Sequence, residues 1–196
     1  MEYVKKLVGN KLFLSPKIVS NEEIELFTMW LNDFQVTDYI GRSSQIVTYN
    51  GEKEYLENDD KNPNNINFNI IELNKNKLIK PRLLGSISLK DINWINRSAE
   101  LGIFIGDKEF RGKGYGTEAI QLLLDYGFRY LNLNSVTLAL LGVNERAYNC
   151  YLKCGFKYSG RDRNAIFLNG CYYDKIHMDI LASEFKGEFI RNKNVK

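Results

Sequence analysis

Ile120, Leu123, Leu124, Phe128 and Leu131, with Gly127 in the same stripe, recur at the three-and-four spacing of a helix packed by one face on a sheet, predicting a helix over Thr117–Leu131. Elsewhere the spacing changes. Short apolar or alternating runs bounded by turn residues predict strands at Phe68–Leu73, Leu84–Lys90, Ala99–Ile105 and Ser135–Leu141. Turn-type residues lie between them at Asn74–Asn76 and Asn93–Asn96. Leu12–Leu14 reads as a short strand ended by Pro16. Ser20 with Glu23 is a capping box, so a helix is expected from about Asn21 to Leu31 with Ile24, Phe27 and Leu31 on its buried face. A second, acidic helix is expected over Gly51–Asn58, and the Asn-rich stretch Asn58–Asn67, which contains Pro63, reads as a loop. Glu145–Lys153 predicts a short helix ended by Gly155, and Asn169-Gly170 is a type I′ hairpin signal joining two final strands.

The order is strand, two helices, three strands, helix, strand, helix, two strands. It gives an α+β, or mixed α/β, sandwich and not a doubly wound sheet. A chain of 196 residues, 44% hydrophobic and 13% aromatic, holds one substantial core, and no repeat or long linker divides it, so a single domain over residues 1–196 is expected.

Composition narrows the function classes. No apolar run approaches the length of a membrane span, and Met1–Lys6 lacks the apolar segment of a signal peptide, so a cytoplasmic protein with no membrane contact is expected. The odd count of three cysteines, Cys150, Cys154 and Cys171, fits free thiols. A single histidine, His177, and no Cys/His cluster predict no metal site. The net charge of +3 is unevenly spread: from Glu22 to Asp60 ten acidic residues face only Arg42 and Lys53, a local balance of −8. Basic residues form no stripe with interleaved aromatics, so no nucleic-acid partner is expected. The acidic run reads either as solvated helix faces or as a field that gathers cationic ligands.

The segment Arg111-Gly112-Lys113-Gly114-Tyr115-Gly116 lies between a β-type run, Glu100–Gly106, and the Thr117–Leu131 helix. Glycines let backbone approach a ligand closely, and a helix starting there directs unpaired N–H groups at an anion. The glycines are spaced G-x-G-x-G, not the dinucleotide G-x-G-x-x-G, and no Ser or Thr follows Lys113 as in a P-loop. The bland alternative is a glycine-rich turn without a ligand.

The pattern Arg-x-x-Gly-x-Gly resembles the pyrophosphate-binding motif of the GNAT superfamily of acetyl-CoA-dependent N-acetyltransferases. Asn144-x-x-Ala147-x-x-x-Tyr151-x-Lys153-x-Gly155-Phe156 is similar to that superfamily's second signature, in the right order downstream. The resemblance runs from about Leu84 to Leu181 and is greatest to the branch holding ribosomal-protein alanine acetyltransferases and spermidine acetyltransferases. It implies a central mixed, mostly antiparallel sheet of about seven strands flanked by helices. It also implies acceptor-side helices at about 20–60, an acetyl-CoA-binding core at about 84–181, and direct acetyl transfer in a ternary complex. The acceptor would be a primary amine: a polyamine, an aminoglycoside or a protein N-terminus. A homodimer is a further expectation. The competing class is a non-catalytic acyl-CoA-binding module.

Carried over residue by residue, the resemblance places pyrophosphate on Arg111, Gly112, Lys113, Gly114, Tyr115 and Gly116. The pantetheine arm falls on the backbone of Ile103, Phe104 and Ile105. Asn144 is an ordinary helix N-cap and, by resemblance, also a contact to the cofactor arm. Tyr151 falls on the family's general acid, with Tyr148 as its nearest competitor on the same helical face. Glu100 matches a frequent strand glutamate that serves as general base; its alternative is a carboxylate paired with Arg97 or Arg111, and Asp91 is the fallback base.

Overall fold

A computed structural model describes residues 3–17, 19–74, 80–187 and 189–190. Eight strands form one sheet in the order β1-β2-β3-β4-β5-β6-β8-β7. They are β1 (Leu7–Val8), β2 (Leu12–Pro16), β3 (Ile66–Glu72), β4 (Leu83–Asn93), β5 (Ser98–Ile105), β6 (Ser135–Leu141), β7 (Lys157–Leu168) and β8 (Cys171–Leu181). Every neighbouring pair is antiparallel except β5–β6. Five α-helices accompany them: α1 (Asn21–Leu31), α2 (Phe34–Ile40), α3 (Tyr49–Lys61), α4 (Tyr115–Arg129) and α5 (Glu145–Lys153).

Both faces of the sheet are buried, which explains why its inner strands read as near-continuous apolar runs. Leu12, Leu14, Ile70 and Leu84 point to the α4 side, where Ile120, Leu123 and Leu124 meet them. Their neighbours Phe13, Ile71 and Leu83 point to the opposite side, against Ile24, Phe27 and Trp30 of α1, Val36 of α2 and Leu56 of α3. The two-residue period of a strand thus assigns one helix layer to each face.

Sequence expectation and structure differ at the ends and in one insertion. The α4 stripe ends at Arg129, so Leu131 lies past the helix, and Leu122 and Asp125 join the buried face. Asp125 is there to hold the C-terminal segment: its Oδ2 accepts from the N–H groups of Phe189 and Ile190, each at 2.7 Å. Thr48 caps α3, its hydroxyl accepting from Gly51 N at 3.1 Å, so the helix starts at Tyr49. It continues to Lys61, and β3 begins at Ile66, leaving the expected Asn-rich loop only a short connection. Within the Asn74–Asn76 turn, residues 75 and 76 lie outside the described residues. The final hairpin is as expected: Leu168 pairs with Cys171, and Asn169 and Gly170 have φ of 47° and 80°, both positive as a type I′ turn requires.

Two of these elements were unforeseen: the two-residue edge strand β1, which makes eight strands where about seven were expected, and α2. The α2 sequence carries only seven residues between two signals, Asp33, whose carboxylate accepts from Gln35 N at 2.8 Å, and Gly41 at φ 69°.

Candidate active site

β5 and β6 begin together and separate. They pair only from Ser98 with Ser135 to Glu100 with Thr137. Beyond that rung β4 still holds the outer edge of β5 as far as Ile105, and β8 holds β6 as far as Leu141. Each strand is anchored to a different part of the sheet, so the pair splays. The edge of β5 facing the split is left without a ladder partner, and its backbone donors and acceptors there must find other partners. An extended ligand bearing amides satisfies them as an added strand would.

A cavity of about 690 Å³ fills the split. Its walls include Glu100, Ile103, Phe104 and Ile105 from β5, Arg111, Gly112, Gly114 and Gly116 from the following loop, and Asn144 and Tyr151 from α5. The two sequence motifs, far apart in the chain, therefore meet across one space. Two members of the expected set are elsewhere. Lys113 is exposed and Tyr115 packs its ring edge-on against Phe110, centroids 5.1 Å apart, and neither side chain lines the cavity.

The loop has the backbone that an anion cradle needs. Gly112 and Gly114 have φ of 74° and 86°, a region that side-chain-bearing residues avoid. Gly114 is the N-cap of α4 and offers no side-chain cap, so the first N–H groups of a fifteen-residue helix are free for a ligand, with the positive end of its dipole behind them. A Cβ at Gly112 or Gly116 would meet nothing within 4 Å. The protein's own packing does not call for glycine at 116, whereas a ligand seated on the helix end does. Such a cradle suits an anion of the diphosphate type.

Arg111 donates to three backbone carbonyls. Its Nε donates to Ile105 O at 2.9 Å, Nη2 to Gly106 O at 2.8 Å, and Nη1 to Gln35 O at 3.1 Å. No ion pair among the described residues joins it to Glu100, and Arg97 turns to Asn132 Oδ1 at 3.2 Å. Glu100 is exposed at the point where the strands part and lines the cavity. Asp91, at φ 50° in the register irregularity near the end of β4, is not in the wall.

On α5, Asn144 caps the helix by accepting from Ala147 N at 3.1 Å while lining the cavity, so both of its proposed roles are sterically compatible. Tyr151 is 9% exposed, lines the cavity, and packs against Phe156 with centroids 5.9 Å apart. Burial, reinforced by the neighbouring thiols, pushes its phenol well above the usual tyrosine range, keeping it a proton donor. Tyr148 packs on the main core and is absent from the cavity wall.

Sequence reasoning missed three contributors. Gln35, Val36, Tyr39 and Ile40 close the cavity from α2. Thr117 and Cys150 face each other in its wall. Arg146, over the Tyr39 ring at 5.9 Å, and Lys153 make the wall cationic beside Arg111, opposed only by Glu100. None of the nine acidic residues from Glu22 to Asp59 is among its described lining residues. Several are engaged elsewhere: Glu22 with Lys80 at 2.7 Å, and Asp59 with Lys17 at 3.6 Å and Lys90 at 3.8 Å. Lysines from outside the segment thus offset part of the −8 count.

Diverging strands that leave one edge open, an uncapped helix end and a buried tyrosine thus share one cavity. The chain belongs to the GNAT acetyltransferases: residues 12–157 match the family model described as an acetyltransferase (GNAT) domain. The chain is 31% identical over 169 residues to spermidine N(1)-acetyltransferase of Vibrio cholerae, covering 84% of this chain and 96% of that protein. It is 37% identical over 106 residues to the putative ribosomal N-acetyltransferase YdaF of Bacillus subtilis, covering 54% of this chain and 57% of that one. Among solved structures, spermidine N-acetyltransferase from Vibrio cholerae in complex with CoA and spermine superposes with a TM-score of 0.78 at 28% identity, over 89% of this chain and 97% of the other.

Proposed function

We propose that this chain is an acetyl-CoA-dependent N-acetyltransferase acting on a primary amine, with a polyamine of the spermidine type as the acceptor. The observation that carries the reading is the single cavity that joins the open edge of β5, the uncapped end of α4 and Tyr151. The α4 end and its glycine turn hold the pyrophosphate; the backbone of Ile103, Phe104 and Ile105 pairs with the pantetheine amides and supplies an N–H to the oxyanion that develops on the acetyl group. Glu100 takes one proton of the substrate ammonium, the neutral amine attacks the acetyl carbon, and the carbon–sulfur bond breaks as Tyr151 protonates the departing thiolate; the second amine proton, lost as the amide forms, returns to the phenol through solvent.

A polyamine is favoured because the match to a spermidine acetyltransferase takes in 84% of the chain. A protein N-terminus is the second reading, supported by the higher identity to the ribosomal-type relative over a shorter span. A binding module without turnover is disfavoured by Tyr151, a buried tyrosine in the cavity wall. The test is CoA release from acetyl-CoA with spermidine, an aminoglycoside, and peptides beginning with Ala or Ser. Spermidine is expected to give the highest kcat/KM. Release with a peptide alone moves the acceptor to a protein N-terminus, and bound donor without release for any amine supports the binding module.

A further inference from the structure

The guanidinium of Arg111 is the joint between two parts of the cavity. Two of its three hydrogen bonds end on Ile105 O and Gly106 O, where the strand expected to pair with the donor finishes. The third ends on Gln35 O of α2, the helix that presents Gln35, Val36, Tyr39 and Ile40 to the same space. Apolar packing ties these parts as well: Phe104 meets Phe27 and Trp30 of α1 edge-on at 5.7 and 6.3 Å, Val36 and Ile40 of α2 belong to the same cluster, and a Cβ at Gly106 would stand only 2.0 Å from the Trp30 ring. To this shared packing Arg111 adds a polar strut between α2 and the strand end.

A planar guanidinium suits this position. Three separate carbonyls are met by donors fixed in one plane, a geometry that the single ammonium of lysine cannot reproduce. The carbonyls also occupy the fork that would otherwise close on a phosphate. Anion binding is left to the glycine turn and the bare N–H groups of α4.

We propose that Arg111 is a positioning residue that couples the donor strand to the acceptor-side helix α2, and not a ligand of the pyrophosphate. The inference rests on the N-acetyltransferase reading, and its test has arms that do not need turnover. Arg111→Gln and Arg111→Lys are compared with wild type by calorimetric titration with acetyl-CoA, by hydrogen exchange, and by steady-state kinetics with spermidine. The expected result is acetyl-CoA affinity within about threefold of wild type, with KM for spermidine raised about tenfold or more in Arg111→Gln and partly restored in Arg111→Lys. Amide exchange should quicken at Val36–Ile40 in the variants and not in α4. A loss of acetyl-CoA affinity of about tenfold or more overturns the proposal whatever happens to the amine, because it makes Arg111 a phosphate ligand. Unchanged spermidine KM with unchanged exchange in α2 overturns it as well. If wild type binds acetyl-CoA and transfers nothing to any amine, the enzymatic reading falls, while the binding and exchange arms still decide the role of Arg111.

Discussion

Cys150 Sγ lies 3.2 Å from Thr117 Oγ1, so that α5 and the first turn of α4 meet through a thiol and a hydroxyl in the wall of the donor cavity. Cys154 completes the group, its thiol donating to Thr117 O at 3.7 Å. Hydrogen bonding from Cys154 and Thr117, with Lys153 and Arg146 nearby, lowers the Cys150 thiol to about 6 despite its burial, while the Cys154 thiol is pushed up.

Alkylation of Cys150 is therefore expected to rise with pH through about 6 and to level off near neutrality, where an ordinary thiol still gains reactivity up to about pH 8.5. Acetyl-CoA should slow it. Peptide mapping separates Cys150 from the exposed Cys171. A rate that climbs only above about pH 8 and ignores acetyl-CoA contradicts the placement of this thiol in the donor cavity.

The two helix-end glycines should fail in different ways. Gly116→Ala adds a methyl group to open space, so melting should be unchanged while acetyl-CoA affinity falls. Gly114→Val should lose both, because a β-branched residue is strained at φ 86° and its Cβ approaches Lys11 Nζ at 3.3 Å. Calorimetry and thermal melts distinguish them. Full acetyl-CoA affinity in Gly116→Ala would place the pyrophosphate elsewhere.

Glu23 gives a pH signature of the fold. Its carboxylate is buried and accepts from Asn69 Nδ2 at 2.6 Å. Burial raises its pKa from 4.5 to about 7, against hydrogen bonds from Ser20 and Tyr3 and the charge of Lys17. The folded state thus holds this proton more tightly than the unfolded chain, so the contribution of Glu23 to stability is full below 4.5 and is lost as pH rises through about 7. Replacing it by Gln removes the titration. The difference in Tm, Glu23→Gln minus wild type, should grow more positive between about pH 4.5 and 7, and a difference independent of pH would contradict it.

Periodicity alone located α4 and the central strands, because each buries a stripe or face whose spacing is set by local geometry. The two motifs located Gly112–Gly116, Asn144 and Tyr151 for a similar reason: a φ of 86° or a helix N-cap restricts residue type wherever it occurs. Contributors to the site that depend on tertiary approach were not legible. Helix α2 has only seven residues and no long apolar stripe, so its signals were Asp33 and Gly41 alone. Nothing local tells Thr117 that Cys150, thirty-three residues on, will meet it. The local charge balance was not legible either, because charge counted along the chain ignores Lys80 and Lys90, which fold back onto the acidic run.

The central claim is that Tyr151 stands opposite the thioester in a cavity built to hold acetyl-CoA. Its most direct test is Tyr151→Phe, which removes one oxygen from a side chain otherwise fixed by Phe156 and the core. The variant should melt like wild type, bind acetyl-CoA with similar affinity by calorimetry, and release CoA in the presence of spermidine about tenfold more slowly or worse under single-turnover conditions. Single-turnover rates equal to wild type, with donor bound, would contradict the assignment of Tyr151 as the acid.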